Sequence, residues 1–380
     1  MRKAIYLGRP PYIQDYYKKD AAVLFDETGG NTGNLAFQYA VATHLRSDVP
    51  VLHWGMNAKQ FRSSGDIIVL PLANQLGCHT NLASAAAKLK EIDLPVVGVG
   101  LGAQAASLDA DVELSEGTRD WLDTIAGLSP TGGPNLGVRG AYTQVQISKN
   151  GWPTASVVTG CPSNFINFET DFIDRIAAGF QRKPALIAVA AGIPYSQHLA
   201  KLEANLADIV TATGGAYIVQ HGLEMLRLAR NEFDALPAEL FTLCQEYIQP
   251  GSSPGEFRAW CRRFAYAFYD VRAWMDFLQR FDFVVGTRFH GAMLAIQAGV
   301  PAACIAHDSR TYEMCQTMNI PVCLNTEINL PLTPANLLEH FRFDADEFRE
   351  SRRQLLASYV TLFRDAEIEL AQPLVSFAAS

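Results

Sequence analysis

The sequence predicts an α/β protein built as two Rossmann-like domains facing each other across a cleft. Three observations carry this reading. Short β-branched runs alternate with helical patterns, as in a parallel sheet with helices on its faces. The alternation lapses after Gly160-Cys161-Pro162-Ser163 and starts afresh at Ala185. The chain, at 380 residues, is also longer than one hydrophobic core usually serves. The boundary is placed between about Asn164 and Pro184, so that residues 1–170 form the first domain and 171–380 the second.

In the first domain Ala21–Phe25 reads as the opening strand, followed by a Gly/Asn-rich turn and a helix over about Leu35–Leu45. Strands are expected at Val51–Trp54, Asp66–Leu70 and Leu94–Val99, with the Ala-rich stretch Asn81–Lys90 helical before the last of them. A helix over Trp121–Leu128, a break at Thr131–Pro134 and a short strand at Leu136–Arg139 follow. A helix over Tyr142–Asn150 and a strand at Val157–Thr159 complete this half. In the second half strands are expected at Ala185–Ala190, Ala216–Gln220, Phe281–Val285 and Pro301–Ile305. Helices over His198–Thr213 and Gly291–Ala298 separate them, with a long helical stretch, irregular around Pro250–Pro254, after the second strand. The end, from Asp344 to about Leu370, reads as charged helix, and no internal repeat is visible.

Composition narrows the function. A formal charge of -8 argues against a general nucleic-acid binder, while leaving room for a local cationic pocket that an anionic small substrate would need. The N-terminal run Ala4–Leu7 is too short for a signal-peptide core. Elsewhere there is no unbroken apolar run of about 18 residues, the length a membrane span needs. A cytoplasmic protein with no transmembrane segment is expected. The seven cysteines are odd in number and none are spaced as zinc ligands, so reduced core thiols and no metal site are expected.

In open α/β sheets ligands gather outside the carboxyl ends of the strands, so chemistry is sought just after strands. The strongest segment is Val284-Val-Gly-Thr-Arg-Phe-His-Gly291, with Arg288, Phe289 and His290 on the turn into a helix. A guanidinium there can fork onto a carboxylate or phosphate beside the helix N-terminus. The imidazole can exchange a proton near neutral pH, and Gly291 would let backbone approach a ligand. The next strand ends in Ile305-Ala-His-Asp-Ser-Arg310, where Arg310 can hold a second anionic group and Ser309 is expected to cap the helix. Asp308 reads equally as the cap or as an orienting carboxylate. In the first domain, Thr28-Gly-Gly-Asn-Thr-Gly-Asn34 lies between strand and helix, and Gly30, Asn31, Gly33 and Asn34 could approach a phosphate or sugar. The same residues read equally as a tight turn with no ligand. Gly98-Val-Gly-Leu-Gly102 is a weaker signal of the same kind.

Across Val23 to Cys315 the chain resembles the polysaccharide pyruvyl transferases. The matching pieces are the Gly29–Asn34 turn, Gly98–Gly102, Gly137-Val-Arg139 with Thr143, Gly160–Ser163 and, most specific, Arg288-Phe-His-Gly291 with Ala295 and Gly299-Val-Pro301. The resemblance implies a fold like the two-domain glycosyltransferases called GT-B. It also implies transfer of the enolpyruvyl skeleton of phosphoenolpyruvate onto two hydroxyls of a sugar, free or lipid-linked, as a pyruvate ketal. Arg288 and His290 then stand where the family binds the donor and handles protons, with Arg310 and Arg139 as further cations, and no cofactor is implied. Phe289 replaces the usual leucine, and Pro71-Leu-Ala-Asn74 stands where a glycine cluster is usual. Two rival readings are a GT-B glycosyltransferase using a nucleotide sugar and a non-catalytic carbohydrate-binding protein on the same scaffold. The first is weakened because the paired glutamates seven apart of retaining enzymes are missing: Glu313 has Ala306 and Ile320 at those offsets.

Overall fold

The opening strand lies earlier than the periodicity suggests. In the computed structural model, which describes residues 1–105 and 108–378, strand β1 is Ala4–Leu7, while Ala21–Glu27 is a helix. The reason is local. Asp20 caps that helix by accepting the N–H of Val23, and Ala21 and Leu24, three apart, bury one helical face. The first sheet adds β2 (Val51–Leu52), β3 (Ile67–Pro71), β4 (Asn74–Leu76), β5 (Val96–Ala103), β6 (Leu136–Val138) and β7 (Ser156–Val158). Its order is β2-β1-β3-β5-β6-β7, with β4 beside the end of β5, and the pairings are parallel.

The second sheet contains β8 (Ile187–Ala190), β9 (Ala216–Ile218), β10 (Ala265–Tyr266), β11 (Phe283–Gly286), β12 (Ala302–Ala306) and β13 (Val322–Leu324). It runs β10-β9-β8-β11-β12-β13, again in parallel. The α/β class with two parallel sheets is therefore as the sequence predicts. β10 and β13 escape sequence reading because two or three residues cannot display an alternation of their own.

Period-two alternation sorts the first sheet's side chains onto two faces. Ile5, Leu7, Ile68 and Leu70 pack with Leu89, Trp121 and Ile125 of the helices Ala83–Ile92 and Glu116–Gly127. Ala4, Tyr6, Ile67 and Val69 face the other way, into a core that continues without a break into the second sheet. The two halves thus share one hydrophobic interior. The helix Ala345–Asp365 strengthens that union, because it follows the second sheet in sequence yet packs on β7 of the first.

That helix also pins the segment joining the halves. Arg352 is buried, stacks between Phe172 and Phe377, and donates from Nε to the Asn164 carbonyl at 2.9 Å and from Nη2 to the Asn167 carbonyl. His44 is buried beside it. Its Nε2–H donates to the Phe165 carbonyl at 3.0 Å, which leaves Nδ1 to accept from the Tyr359 hydroxyl, also at 3.0 Å. Arg352→Ala removes two charge-assisted bonds and the stacking, and should lower unfolding stability by about 2–4 kcal/mol. Arg352→Met, which keeps the aliphatic packing, should cost less. Urea denaturation checks this, and equal losses in the two variants would show that the aliphatic packing contributes nothing.

Candidate active site

The carboxyl ends of both sheets turn toward each other, and the residues singled out from sequence gather there. β11 ends at Gly286, and Arg288 occupies the N-cap of the helix Phe289–Gln297. That helix starts two residues earlier than the periodicity indicates, which puts Phe289 and His290 in its first turn. Gly291 does not open backbone to a ligand: a Cβ there would lie 2.5 Å from Ala190 Cβ on β8 and 2.7 Å from Gln220 Nε2. Its small size lets the helix sit directly on the sheet.

The turn before Arg288 is fixed from below by a carboxylate. Glu203 is fully buried, and its Oε1 accepts from Thr287 Oγ1 at 2.8 Å and from the Gly192 N–H at 2.9 Å. Its Oε2 accepts from the Tyr217 hydroxyl at 2.9 Å. Burial raises the Glu203 pKa, while these donors and the nearby Arg288 pull it back.

At the end of β12 the helix Ser309–Thr317 is capped by Asp308, whose Oδ1 accepts the Thr311 N–H at 2.7 Å. Ser309 is therefore not the cap. It is the first helical residue, and its hydroxyl crosses to the first half to donate to the Ala105 carbonyl at 3.0 Å. Asp308 holds the extended backbone position from which its carboxylate reaches the N3 N–H, while Ser309 already lies inside the helix and is left free for that bridge. Arg310 donates from Nη2 to Asp308 Oδ2 at 3.3 Å. One turn on, Glu313 accepts from Thr143 N–H and Oγ1 at 2.8 and 2.9 Å, a second bond between the halves.

From the first half, β6 delivers Arg139 to the same place. It is buried, with its guanidinium 5.6 Å from the Phe37 ring centroid, and that ring lies 5.7 Å from the His290 imidazole. Arg139 Nε and Nη2, Arg288 Nε and Arg310 Nε are all buried without a hydrogen-bond partner among the described residues. Burial lowers the His290 pKa well below its ordinary value, and the positive fields of Arg139 and Arg310 lower it further. This favours a neutral imidazole at His290, whose Nε2 lies 3.7 Å from Cys161 Sγ.

The Gly/Asn turn of the first half meets this centre by packing. Asn31 Oδ1 accepts the Gly33 N–H at 2.8 Å, and Asn34 Nδ2 donates to the Thr28 carbonyl at 3.0 Å, so both amides hold the turn itself. Gly30 lies under the Phe25 ring in a left-handed conformation at φ 78°. The Thr32 N–H donates to the Gln220 carbonyl at 2.8 Å, and Asn31 bridges His221. A Cβ on Gly33 would meet Gln220 Oε1 at 2.7 Å and His290 Cβ at 3.3 Å. The turn is wedged between the halves, directly against His290.

Beside it the carboxyl ends of β1, β2 and β3 enclose a cavity of about 1040 Å³. Phe37 and Asn34 form its wall toward His290, and Leu70, Pro71, Ala73 and Gln75 form another. The segment that departs from the family's glycine cluster therefore shapes a cavity.

Two functional candidates are absent from the residues that the sequence singles out. His221 follows β9 and faces the fields of Arg288 and Arg310, with Nδ1 buried and unpartnered among the described residues. Its position three residues past a strand end was the available signal. Glu203 is the other. It shares spacing i, i+3, i+4, i+7 with Leu206, Ala207 and Val210, an acid on the buried stripe of its helix. His307 keeps an unpartnered Nδ1 as well and lies 6.3 Å from the His198 ring. No group of residues suited to hold a metal occurs among the described residues.

Burial, then Arg288 and Arg310, lower His221 to about 4. The unfolded chain takes up that proton near pH 6.5 and the folded protein does not. Stability should therefore fall as pH drops from 6.5 toward 4, by up to about 1.4 kcal/mol per pH unit for this group. Urea melts at pH 7, 6 and 5 should show a shallower fall in His221→Gln, and identical slopes in the two proteins would overturn the assignment.

Among solved structures, a candidate UDP-N-acetylglucosamine 2-epimerase of Listeria monocytogenes is similar at 12% identity and a TM-score of 0.42, covering 99% of this chain and 93% of its own. The Anabaena protein HepE, crystallised with UDP and glucose, is similar at 12% identity and a TM-score of 0.42, covering 100% of this chain and 98% of its own. No curated protein matches the sequence. The polysaccharide pyruvyl transferase model matches residues 31–309, a span that carries Arg139, Arg288 and His290, and the chain belongs to that family.

Proposed function

We propose that this protein transfers the enolpyruvyl group of phosphoenolpyruvate to two hydroxyls of a sugar, forming a pyruvate ketal and releasing phosphate. The observation that carries the reading is that Arg139 and Arg310 both act on the His290 imidazole and Arg288 lies in the field of Arg310, with guanidinium N–H groups of all three buried and unpaired among the described residues. Buried donors without partners cost free energy unless a ligand completes them. A trianionic donor carrying both phosphate and carboxylate would complete several at once.

The same cations give His290 its timing. Burial and the fields of Arg139 and Arg310 hold it neutral. An anion bound between the arginines cancels those fields and lets the imidazole take up a proton. His290 then delivers that proton to the methylene carbon, which becomes the ketal methyl. One sugar hydroxyl attacks the central carbon, the phosphate leaves with the bonding electrons of its C–O bond, and the second hydroxyl closes the ketal. The two hydroxyl protons end on the methyl carbon, through His290, and on the departing phosphate. The arginines stabilise charge on the leaving group throughout. Thr287, braced by Glu203, sets the turn that aims Arg288.

The acceptor enters from the first half, whose cavity shares the Phe37 wall with His290. No helix among the described residues is long and apolar enough to cross a membrane. We place the reaction in the cytoplasm, where phosphoenolpyruvate is made.

Purified protein incubated with phosphoenolpyruvate and a β-galactoside or β-N-acetylmannosaminide should release inorganic phosphate and yield an acid-labile ketal. His290→Ala should lower kcat by about 10²–10⁴-fold, and near-normal turnover would refute the acid–base role. Sulfate, which does not titrate in this range, should bind more tightly at pH 6 than at pH 7.5 because binding draws a proton onto His290. Calorimetry in buffers of different ionisation enthalpy measures that uptake, and its persistence in His290→Gln would assign the proton elsewhere.

A further inference from the structure

We propose that Cys161 is a positioning residue for His290: its thiol takes Nε2 and leaves Nδ1 as the nitrogen that moves protons. The part played by Nδ1 rests on the pyruvyl-transfer reading, whereas the thiol contact stands without it.

An imidazole has two unlike nitrogens, and the partner of one decides what the other can do. Cys161 Sγ lies 3.7 Å from Nε2, the one hydrogen-bonding contact of this ring among the described residues. His290 is half-buried, and its Nδ1 makes no such contact there. The other neighbours are rings. Phe37 lies 5.7 Å away at an interplanar angle of 42°, and Phe289 lies 5.3 Å away at 74°. Both crowd the imidazole, but apolar faces do not tell its nitrogens from its carbons. A half-turn about the Cβ–Cγ bond would exchange each nitrogen for a carbon, and the thiol is what opposes it.

Cys161 is itself firmly held. It is fully buried, its N–H donates to Met318 Sδ at 3.4 Å, and its carbonyl accepts from the Asn164 N–H at 3.0 Å. Its Sγ also meets Ser163 Oγ at 3.1 Å, and Ser163 is fully buried with no other side-chain hydrogen bond among the described residues.

A thiol suits a ring that changes charge, because it donates and accepts weakly. When Nε2 is bare, S–H can donate to it while the Ser163 hydroxyl donates to Sγ. When Nε2 carries a proton, Sγ accepts it. A carboxylate in this place would hold the imidazole charged, and an apolar side chain would let it turn. The charged and titratable groups facing the ring among the described residues are Arg139, Arg310 and Cys161 itself. Arg139, 2% exposed with Nε and Nη2 unpartnered, lies in the field of ring and thiol alike. With Nε2–H resting on sulfur, the imidazolium gives its Nδ1 proton to the methylene carbon. The Nδ1 lone pair so freed takes the proton of a sugar hydroxyl, and no bond to sulfur forms.

Cys161→Ala removes donor and acceptor, Cys161→Ser keeps both, and Cys78→Ser, at an exposed thiol, is the control. Cys161→Ala should lower kcat about tenfold to a hundredfold with KM little changed, Cys161→Ser should recover part of the loss, and Cys78→Ser should lose nothing. Nδ1-methylhistidine at position 290, which blocks Nδ1 alone, should lose as much turnover as His290→Ala. Nitrogen NMR on protein with isotopically labelled histidine needs no turnover. The His290 signals, identified by their loss in His290→Gln, should show Nε2 displaced by Cys161→Ala and Nδ1 displaced by sulfate. An Nε2 signal indifferent to Cys161→Ala, Cys161→Ser no more active than Cys161→Ala, or full turnover with Nδ1 methylated overturns the inference. The two proposals fail separately. If the unaltered protein releases no phosphate, pyruvyl transfer falls and the Nε2 signal still decides the positioning. Phosphate release with an Nε2 signal that ignores Cys161 sinks the positioning alone.

Discussion

Like charges in a poorly solvated interior repel, and holding both Arg139 and Arg288 in the field of Arg310 is the constraint around which this molecule is arranged. Each guanidinium comes from the end of a different strand, β6, β11 or β12, and none is allowed a private carboxylate that would satisfy it fully. Among the described residues only Arg310 touches one, Asp308, and that acid is itself committed to capping a helix. The remaining counter-charge is kept at one remove. Glu203 grips the turn beneath Arg288, and Glu313 holds the two halves together near Arg139. A chain whose formal charge is -8 therefore concentrates positive potential at one point inside itself.

Such a centre needs a stiff frame, because any slack would let the arginines swing out to water. The frame is the shared interior. One face of the first sheet runs into the core of the second, and the Ala345–Asp365 helix crosses back to lie on β7. Arg352 then ties the joining segment by its carbonyls. Cys161 and Ser163, at the start of that segment, sit beside His290, so the joint and the site are held by the same residues.

Much of this was legible in the sequence, and what was not has physical causes. The parallel alternation and the strand-end position of Arg288, His290 and Arg310 follow from period and turn chemistry. Ala21–Phe25 misleads because five apolar residues are too few to distinguish a strand from a helix, and the Asp20 cap decides it. Ala4–Leu7 hides because a fully buried strand of four residues has no alternation to show. Ser309 and Asp308 exchange roles because two adjacent capping residues compete for one N-terminus, and the loser finds a partner in the other half. His221 and Glu203 are a different kind of omission. Their importance arises from what surrounds them, chiefly Arg288, and that neighbourhood is created only when two distant segments meet.

The seat of Gly33 under His290 has a consequence for how such proteins can be recombined. A residue of one half touches the His290 side chain of the other through a gap with no room for a Cβ. The halves are therefore not exchangeable modules. A chimera that borrows its first half from a relative must import a Thr28–Asn34 turn that fits Gln220 and His221, or the imidazole loses the floor it stands on. Substitutions can accumulate along the part of the cavity lined by Tyr12, His53 and Trp54, while the Thr28–Asn34 turn stays bound to the residues that follow β9.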